Sequence, residues 1–206
     1  YIKIAVERNT TDAERTATIT MNAGGNIRQY TVTQTSKNAE TYPAGMEKDA
    51  IETIKSIQMG INLGNTLEAT GDEYAWGAPH TTQAIIDQMK AWGFNAIRVP
   101  CSWNQYLEAD GITIKPSWMN RVKEVIDYCM NADLYTILNI HWDQGWMENH
   151  CNASMETPES IAQIESKVYN LWTQIATTFK DYDGRLLFAG ANEPVVESRE
   201  DMIVLN

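Results

Sequence analysis

The sequence predicts an α/β protein in which short parallel strands alternate with amphipathic helices behind a short N-terminal β-hairpin segment. Three observations predict it. From about residue 57 onward, apolar runs of strand length alternate four times with stripes of helical period, the pattern of a parallel β/α architecture. Every one of those strand-like runs ends in polar side chains. Residues 1 to about 36 instead follow the two-residue period of strands.

Composition sets the outer limits. Hydrophobic residues make up 43% of the 206 and charged residues 21%, which predicts a packed core and excludes a disordered chain. Acidic residues outnumber basic ones 27 to 16, and no Lys/Arg cluster occurs, so nucleic acid and anionic membranes are not expected partners. A neutral ligand such as a sugar does not feel that charge. No run approaches the ~18 apolar residues of a membrane span. Cys101, Cys129 and Cys151 match neither a zinc motif nor a disulfide framework, and their odd number leaves at least one thiol unpaired within the chain. Trp and Tyr, 7 and 9 against 3 Phe, suit stacking on sugar rings as well as ordinary packing.

At the N-terminus, Thr16-Ala17-Thr18-Ile19-Thr20-Met21 and Tyr30-Thr31-Val32-Thr33-Gln34 alternate around an Ala23-Gly24-Gly25-Asn26 turn, a β-hairpin pattern. Two or three strands do not make a stable sandwich alone. Arg15 to Thr20 and Tyr30 to Gln34 resemble the C-terminal end of a BACON-type module, a small immunoglobulin-like β-domain often joined to bacterial carbohydrate-active enzymes. That resemblance makes residues 1–36 the remnant of a β-sandwich and residues 37–50, with Pro43 and Gly45, a linker.

Residues 51–206 carry the β/α pattern. Ile57 to Asn62 reads as a first strand. Thr81 or Thr82 caps a helix with Ile85, Ile86, Met89 and Trp92 at helical spacing, closed by Gly93. Ala96 to Val99 is a second strand. Pro116 opens a second helix with Met119, Val122, Val125, Ile126, Cys129 and Met130 on one face. Tyr135 to Ile140 is a third strand. A third helix begins near Pro158 and aligns Ile161, Ile164, Val168, Leu171, Trp172, Ile175 and Phe179, and Arg185 to Ala189 is a fourth strand.

Periodicity does not separate an open doubly wound sheet from a (β/α)₈ barrel; the strand ends do. Functional groups of a barrel lie at the C-terminal ends of its strands, and those positions hold Asn62 and Asn65, Arg98, His141 and Trp142, and Asn192 and Glu193. Singly, each has a structural reading: an ion pair for Arg98, a core histidine for His141, a polar turn for Asn192-Glu193-Pro194. A nucleotide-binding doubly wound sheet would need GxGxxG spacing, which Gly60-Ile61-Asn62-Leu63-Gly64-Asn65 lacks.

Taken together, Gly60 to Glu68, Trp76-Gly77, Gly93-Phe94-Asn95-Ala96-Ile97-Arg98-Val99-Pro100, Asn139-Ile140-His141 and Asn192-Glu193-Pro194 resemble glycoside hydrolase family 5, in its endo-β-1,4-glucanase and xyloglucanase branch. The resemblance implies the first half of a TIM (β/α)₈ barrel, about four β/α units, and a retaining endo-acting hydrolase of β-1,4-glucans such as cellulose or xyloglucan. It makes Glu193 the acid/base, with Asn192 beside it on the sugar 2-hydroxyl, Arg98 tuning the carboxylate pair, and His141, Asn65, Trp76, Trp142 and Trp146 lining the cleft. It requires no metal or organic cofactor. Trp142 stands where family members often carry a second histidine.

The family's nucleophilic glutamate follows the seventh strand, which four β/α units do not reach. Glu68, Glu73, Asp143 and Glu148 are the other carboxylates expected on the same face, and nothing in the sequence singles one out. Half a barrel also exposes two strand edges and an apolar face. A second half is therefore expected, as further sequence of the same enzyme, another chain or a self-dimer. The alternative is a non-catalytic glycan-binding or self-assembling half barrel. The enzyme class implies a secreted, cell-surface or periplasmic bacterial protein.

Overall fold

A computed structural model of the chain describes residues 9, 11, 13–23, 26–34 and 48–196. The chain divides into two compact units, Tyr1–Ala44 and Gly45–Asn206. In the first, strands β1 (Arg15–Ala23) and β2 (Asn26–Gln34) pair antiparallel from Arg15 opposite Gln34 to Ala23 opposite Asn26. The alternation read from the sequence thus extends further toward the turn than expected. Gly24 and Gly25, and residues 35–47, which include most of the stretch read as linker, lie outside the described residues.

The second unit opens with helix α1 (Ala50–Ser56), whose first residue falls within the stretch read as linker. Asp49 and Glu52 form a reciprocal capping box: the Asp49 side chain accepts from the Glu52 N–H while the Glu52 carboxylate accepts from the Asp49 N–H. Strand β3 is Gly60–Asn62, shorter than the expected run from Ile57. The reason is local. The Ile57 N–H closes α1, and the Gln58 and Met59 N–H groups both donate to the Asn95 side chain, so the ladder starts only at Gly60.

The remaining elements follow the sequence closely: α2 (Gln83–Ala91), β4 (Ala96–Val99), α3 (Pro116–Asn131), β5 (Tyr135–Asn139), α4 (Pro158–Phe179) and β6 (Leu186–Ala189). Thr82 is the N-cap residue of α2 but makes no side-chain cap bond, whereas Thr157 caps α4 by accepting from the Ser160 N–H. Gly93, at φ +96°, takes the left-handed conformation that turns the chain from α2 toward β4. Trp92, expected on the apolar stripe of α2, sits at the C-cap beyond the last helical turn and is 63% exposed.

The four strands lie in the order β3-β4-β5-β6, all parallel. A doubly wound sheet reverses its strand order at a switch point; this order never reverses. Ile97, Val99, Leu138 and Leu186 are buried with Ile86, Val122, Val125, Ile126, Cys129, Leu171, Ile175 and Phe179 of the helices. The opposite face presents Asn62, Arg98, Ile137, Leu187 and Ala189, all half-buried or exposed. Helices on one face and a sequential parallel sheet make this part of a (β/α)₈ barrel, with its open face corresponding to the barrel interior. All three cysteines are buried free thiols, and no helix among the described residues is long and apolar enough to cross a membrane.

Candidate active site

Five non-glycine residues among those described have positive φ, and four of them, Asn65, Asp143, Gln144 and Glu193, follow β3, β5 or β6 on the side where the strands end. The fifth, Asp133, lies in the α3–β5 turn at the other end. Left-handed backbone at non-glycine residues concentrates where structure is over-determined for a purpose, which marks the C-terminal end of the sheet as the site.

After β3, the Glu68 carboxylate is buried and accepts from the backbone N–H of Asn65 at 2.5 Å and of Thr66 at 2.9 Å. It holds the loop in which Asn65 adopts φ 62°, and Asn65 itself stays exposed. Farther along, Trp76 is 45% exposed. In the same loop, Glu73 makes a two-point ion pair with Arg121 of α3, at 2.8 and 2.7 Å, with both side chains nearly buried. Burial pushes the Glu73 carboxyl up, but Arg121 and the Thr81 N–H outweigh it and leave it below the usual range.

After β5, Asp143 is buried and ties two loops together. Its carboxylate accepts from the backbone N–H groups of Trp103, Asn104 and Gln105 after β4, and from the Trp146 indole N–H. Burial raises its pKa and those donors pull it back, with burial prevailing. Trp146, expected in the cleft wall, is fixed between Asp143 and Lys167, whose ammonium sits 4.3 Å from the ring centre. Trp142, 43% exposed, lies over Gly145.

The polar residues at the strand ends meet in one network. Arg98 Nη2 donates to Asn192 Oδ1 at 2.6 Å and lies 3.4 Å from His141 Nδ1. Asn139 Nδ2 approaches the same nitrogen at 3.3 Å, while Asn139 Oδ1 accepts from the Cys101 N–H at 3.2 Å. That last bond fixes which way the Asn139 amide points. Two donors therefore converge on Nδ1, which must be the unprotonated nitrogen, and the ring proton resides on Nε2. Burial, with Arg98 second, pushes the His141 pKa below its ordinary 6.5, so the ring is neutral near pH 7. Among the described residues Arg98 pairs with an amide and an imidazole rather than a carboxylate, so the ion-pair reading does not hold.

Asn192 is 9% exposed and gripped from its other side as well, since its Nδ2 donates to Glu148 Oε1 at 3.1 Å. Glu193 follows at φ 42° and is exposed. Of the expected residues, Arg98, His141 and Asn192 are in direct contact, Glu193 adjoins them in the chain, and Asn65, Trp76 and Trp142 stand on loops of the same end. Asn139 was given no role in the sequence reading, yet was legible, being two residues before His141 and so on the same strand face; Glu148 was expected on this face, but its contact with Asn192, across 44 positions of sequence, was not legible.

Fold and site together define a β/α-barrel protein whose strand ends gather a guanidinium, a neutral imidazole with its proton on Nε2, a doubly held amide and an exposed carboxylate. The cellulase profile of glycosyl hydrolase family 5 matches residues 49–203. A xyloglucan-specific endo-β-1,4-glucanase of Bacteroides ovatus is 35% identical over 212 residues, covering 94% of this chain and 41% of the relative. Endoglucanase B of Clostridium cellulovorans is 40% identical over 144 residues, covering 69% of this chain and 31% of its own. The structure of a Bacteroides ovatus family 5 xyloglucanase with a XXXG heptasaccharide superimposes with a TM-score of 0.70 at 32% identity, covering 95% of this chain and 45% of that one. A xyloglucan-specific β-1,4-glucanase from a ruminal metagenomic library, bound to XXLG, does so at 0.68 and 44% identity, covering 75% of this chain and 42% of that one. The chain belongs to glycoside hydrolase family 5, and it spans less than half the length of these relatives.

Proposed function

We propose that the protein is a retaining endo-acting glycoside hydrolase of β-1,4-glucans, of the xyloglucan or cellulose type. The observation that carries this is the Arg98–Asn192 hydrogen bond at 2.6 Å, with His141 beside it and Glu193 next in the chain. Glu193 is the general acid/base. It must stay protonated until it donates to the leaving oxygen, then act as base toward water. Asn192, adjacent to it, bonds the sugar 2-hydroxyl, and His141 offers its Nε2–H to the bound glycan. Arg98 supplies the cation that favours an ionised partner carboxylate. Asn65, Trp76, Trp142 and Trp146 form the walls of the glycan cleft.

Retention also needs a carboxylate about 5 Å from the acid/base. Glu68 and Asp143 are engaged by backbone N–H groups and Glu73 by Arg121, while Glu148 is buried behind Asn192. That engagement favours a nucleophile from polypeptide outside the four β/α units, which also closes the barrel: further sequence of the protein, another chain or a second copy. It equally favours the alternative of a non-catalytic glycan-binding or self-assembling half barrel. Residues 1–36 are proposed to end a BACON-like module and 37–50 to link it, in a protein exported to the bacterial periplasm, surface or medium; the match of the Bacteroides ovatus glucanase over 94% of the chain supports an N-terminal unit shared between them.

The test is hydrolysis of xyloglucan and carboxymethyl-cellulose by the full-length protein, with the first-formed anomer read by NMR. Turnover with retained β-configuration is expected. An inverted product contradicts the mechanism, and glycan binding without turnover selects the binding reading.

A further inference from the structure

Glu148 is 2% exposed, in a short helical turn between the buried Met147 and Cys151. It touches the loop after β6 twice. Its side-chain Oε1 accepts from Asn192 Nδ2 at 3.1 Å, and its backbone carbonyl accepts from the Val195 N–H at 2.9 Å. The Asn192-Glu193-Pro194-Val195 segment is therefore clamped at both ends by one residue of the loop after β5. On its far side, Asn192 Oδ1 accepts from Arg98.

These contacts leave the Asn192 amide one orientation. A guanidinium only donates, so the amide oxygen must face Arg98; an acceptor at Glu148 Oε1 requires the amide nitrogen there. Rotating the amide by half a turn would set donor against donor at Arg98 and acceptor against acceptor at Glu148.

We infer that Glu148 is a positioning residue, which fixes the plane and direction of the Asn192 amide and the path of the backbone through Glu193. The inference rests on the acid/base reading of Glu193. The second oxygen, Oε2, meets no hydrogen-bond donor among the described residues, and the charged groups that face the site, Glu193 and Asp143, are both acidic. A neutral carboxyl suits this place: its hydroxyl occupies Oε2 and its carbonyl oxygen Oε1 still accepts from Asn192. Nothing in that role requires negative charge, so an amide can substitute for the acid.

The experiment uses the full-length protein, with kcat and KM measured on soluble xyloglucan. Glu148→Leu is expected to lower kcat by up to about 100-fold with much less change in KM, the loss expected when a reacting group is mispositioned while the cleft still binds. Glu148→Gln is expected to restore most of it. Combined with Asn192→Ala, Glu148→Leu should add little to the loss that Asn192→Ala already causes, because it acts through Asn192. Should Glu148→Leu not fold, Glu148→Met, of closer length, is read in the same way. A wild-type kcat in the leucine variant, or losses that simply multiply in the double variant, overturns the inference. Glu193→Gln is run alongside: persistent turnover there overturns the acid/base reading and the inference with it, whereas an inactive Glu193→Gln beside a fully active Glu148→Leu overturns the inference alone.

Discussion

Replacing Arg98 by Leu should release the His141 imidazole from its neighbour's charge. Arg98 Nη2 and His141 Nδ1 are 3.4 Å apart, and two unit charges at such a distance interact by roughly 1 kcal/mol in water and roughly 4 kcal/mol in a protein-surface environment. One pKa unit corresponds to about 1.4 kcal/mol. For a half-buried pair the lower part of that range applies, and its sign is fixed: without the neighbouring cation His141 should titrate higher in the leucine variant. Burial still holds it down, and Glu68 and Glu193 still pull it up. The assay is a pH titration of the imidazole Cε1–H by NMR, with His141→Gln assigning the signal among the 3 histidines. In the wild type, ¹⁵N shifts should also show a bare Nδ1 and a protonated Nε2. The sign carries to stability: a His pKa depressed on folding contributes stability that is complete above about 6.5 and is lost as pH falls through the depressed value. A His141 pKa unchanged or lower in Arg98→Leu, or a proton found on Nδ1, would refute the reasoning.

Three further predictions concern the supports of the site. Arg121→Leu strands the nearly buried Glu73 carboxylate and should cost about 3–5 kcal/mol in urea unfolding, since breaking one side of a buried pair leaves an uncompensated charge. Asp143→Ala removes the acceptor shared by three backbone N–H groups and the Trp146 indole, and at about 1–3 kcal/mol per stranded buried donor the loss should reach a few kcal/mol; Asp143→Asn, which keeps one acceptor oxygen, should lose less in the same measurement. Burial raises Glu148 above its ordinary 4.5 against the opposing Asn192 hydrogen bond, with Glu193 and Asp143 adding to the rise, so its contribution to stability is present below 4.5 and lost as pH rises through the folded value. Glu148→Gln should therefore match the wild type in urea midpoint at about pH 4 and exceed it progressively toward about pH 8.

Helical stripes were legible because they follow one local period: Val122, Val125, Ile126 and Cys129 are buried where the spacing placed them, as are Ile164, Leu171, Ile175 and Phe179. The contacts Arg98–Asn192 and Arg98–His141 were legible only as positions, each at the end of a run of apolar residues, with the parallel register bringing them together. The features that escaped depend on partners far away in sequence. The start of β3 is set by Asn95, more than thirty positions on, whose side chain takes the N–H groups that would otherwise begin the ladder. Trp103 and Trp118 are buried, and their indole N–H groups donate to the carbonyls of Asn139 and Ser102, partners that no local spacing indicates. Helix α1 did have a local signal, the Asp49-x-x-Glu52 capping pattern, straddling the end of the segment read as linker. The polar strand ends pointed to a barrel rather than a doubly wound sheet, and the order β3-β4-β5-β6, which no local pattern encodes, agrees with them.

Glu193 is proposed as the proton donor of a β-1,4-glucan hydrolase. The most direct test compares kcat/KM on xyloglucan with calorimetric affinity for a xyloglucan oligosaccharide, in the full-length protein and in Glu193→Gln. Removal of a general acid/base should lower turnover by about 10²–10⁴-fold while oligosaccharide affinity stays within a few-fold of wild type. Turnover that survives Glu193→Gln undiminished would contradict the account.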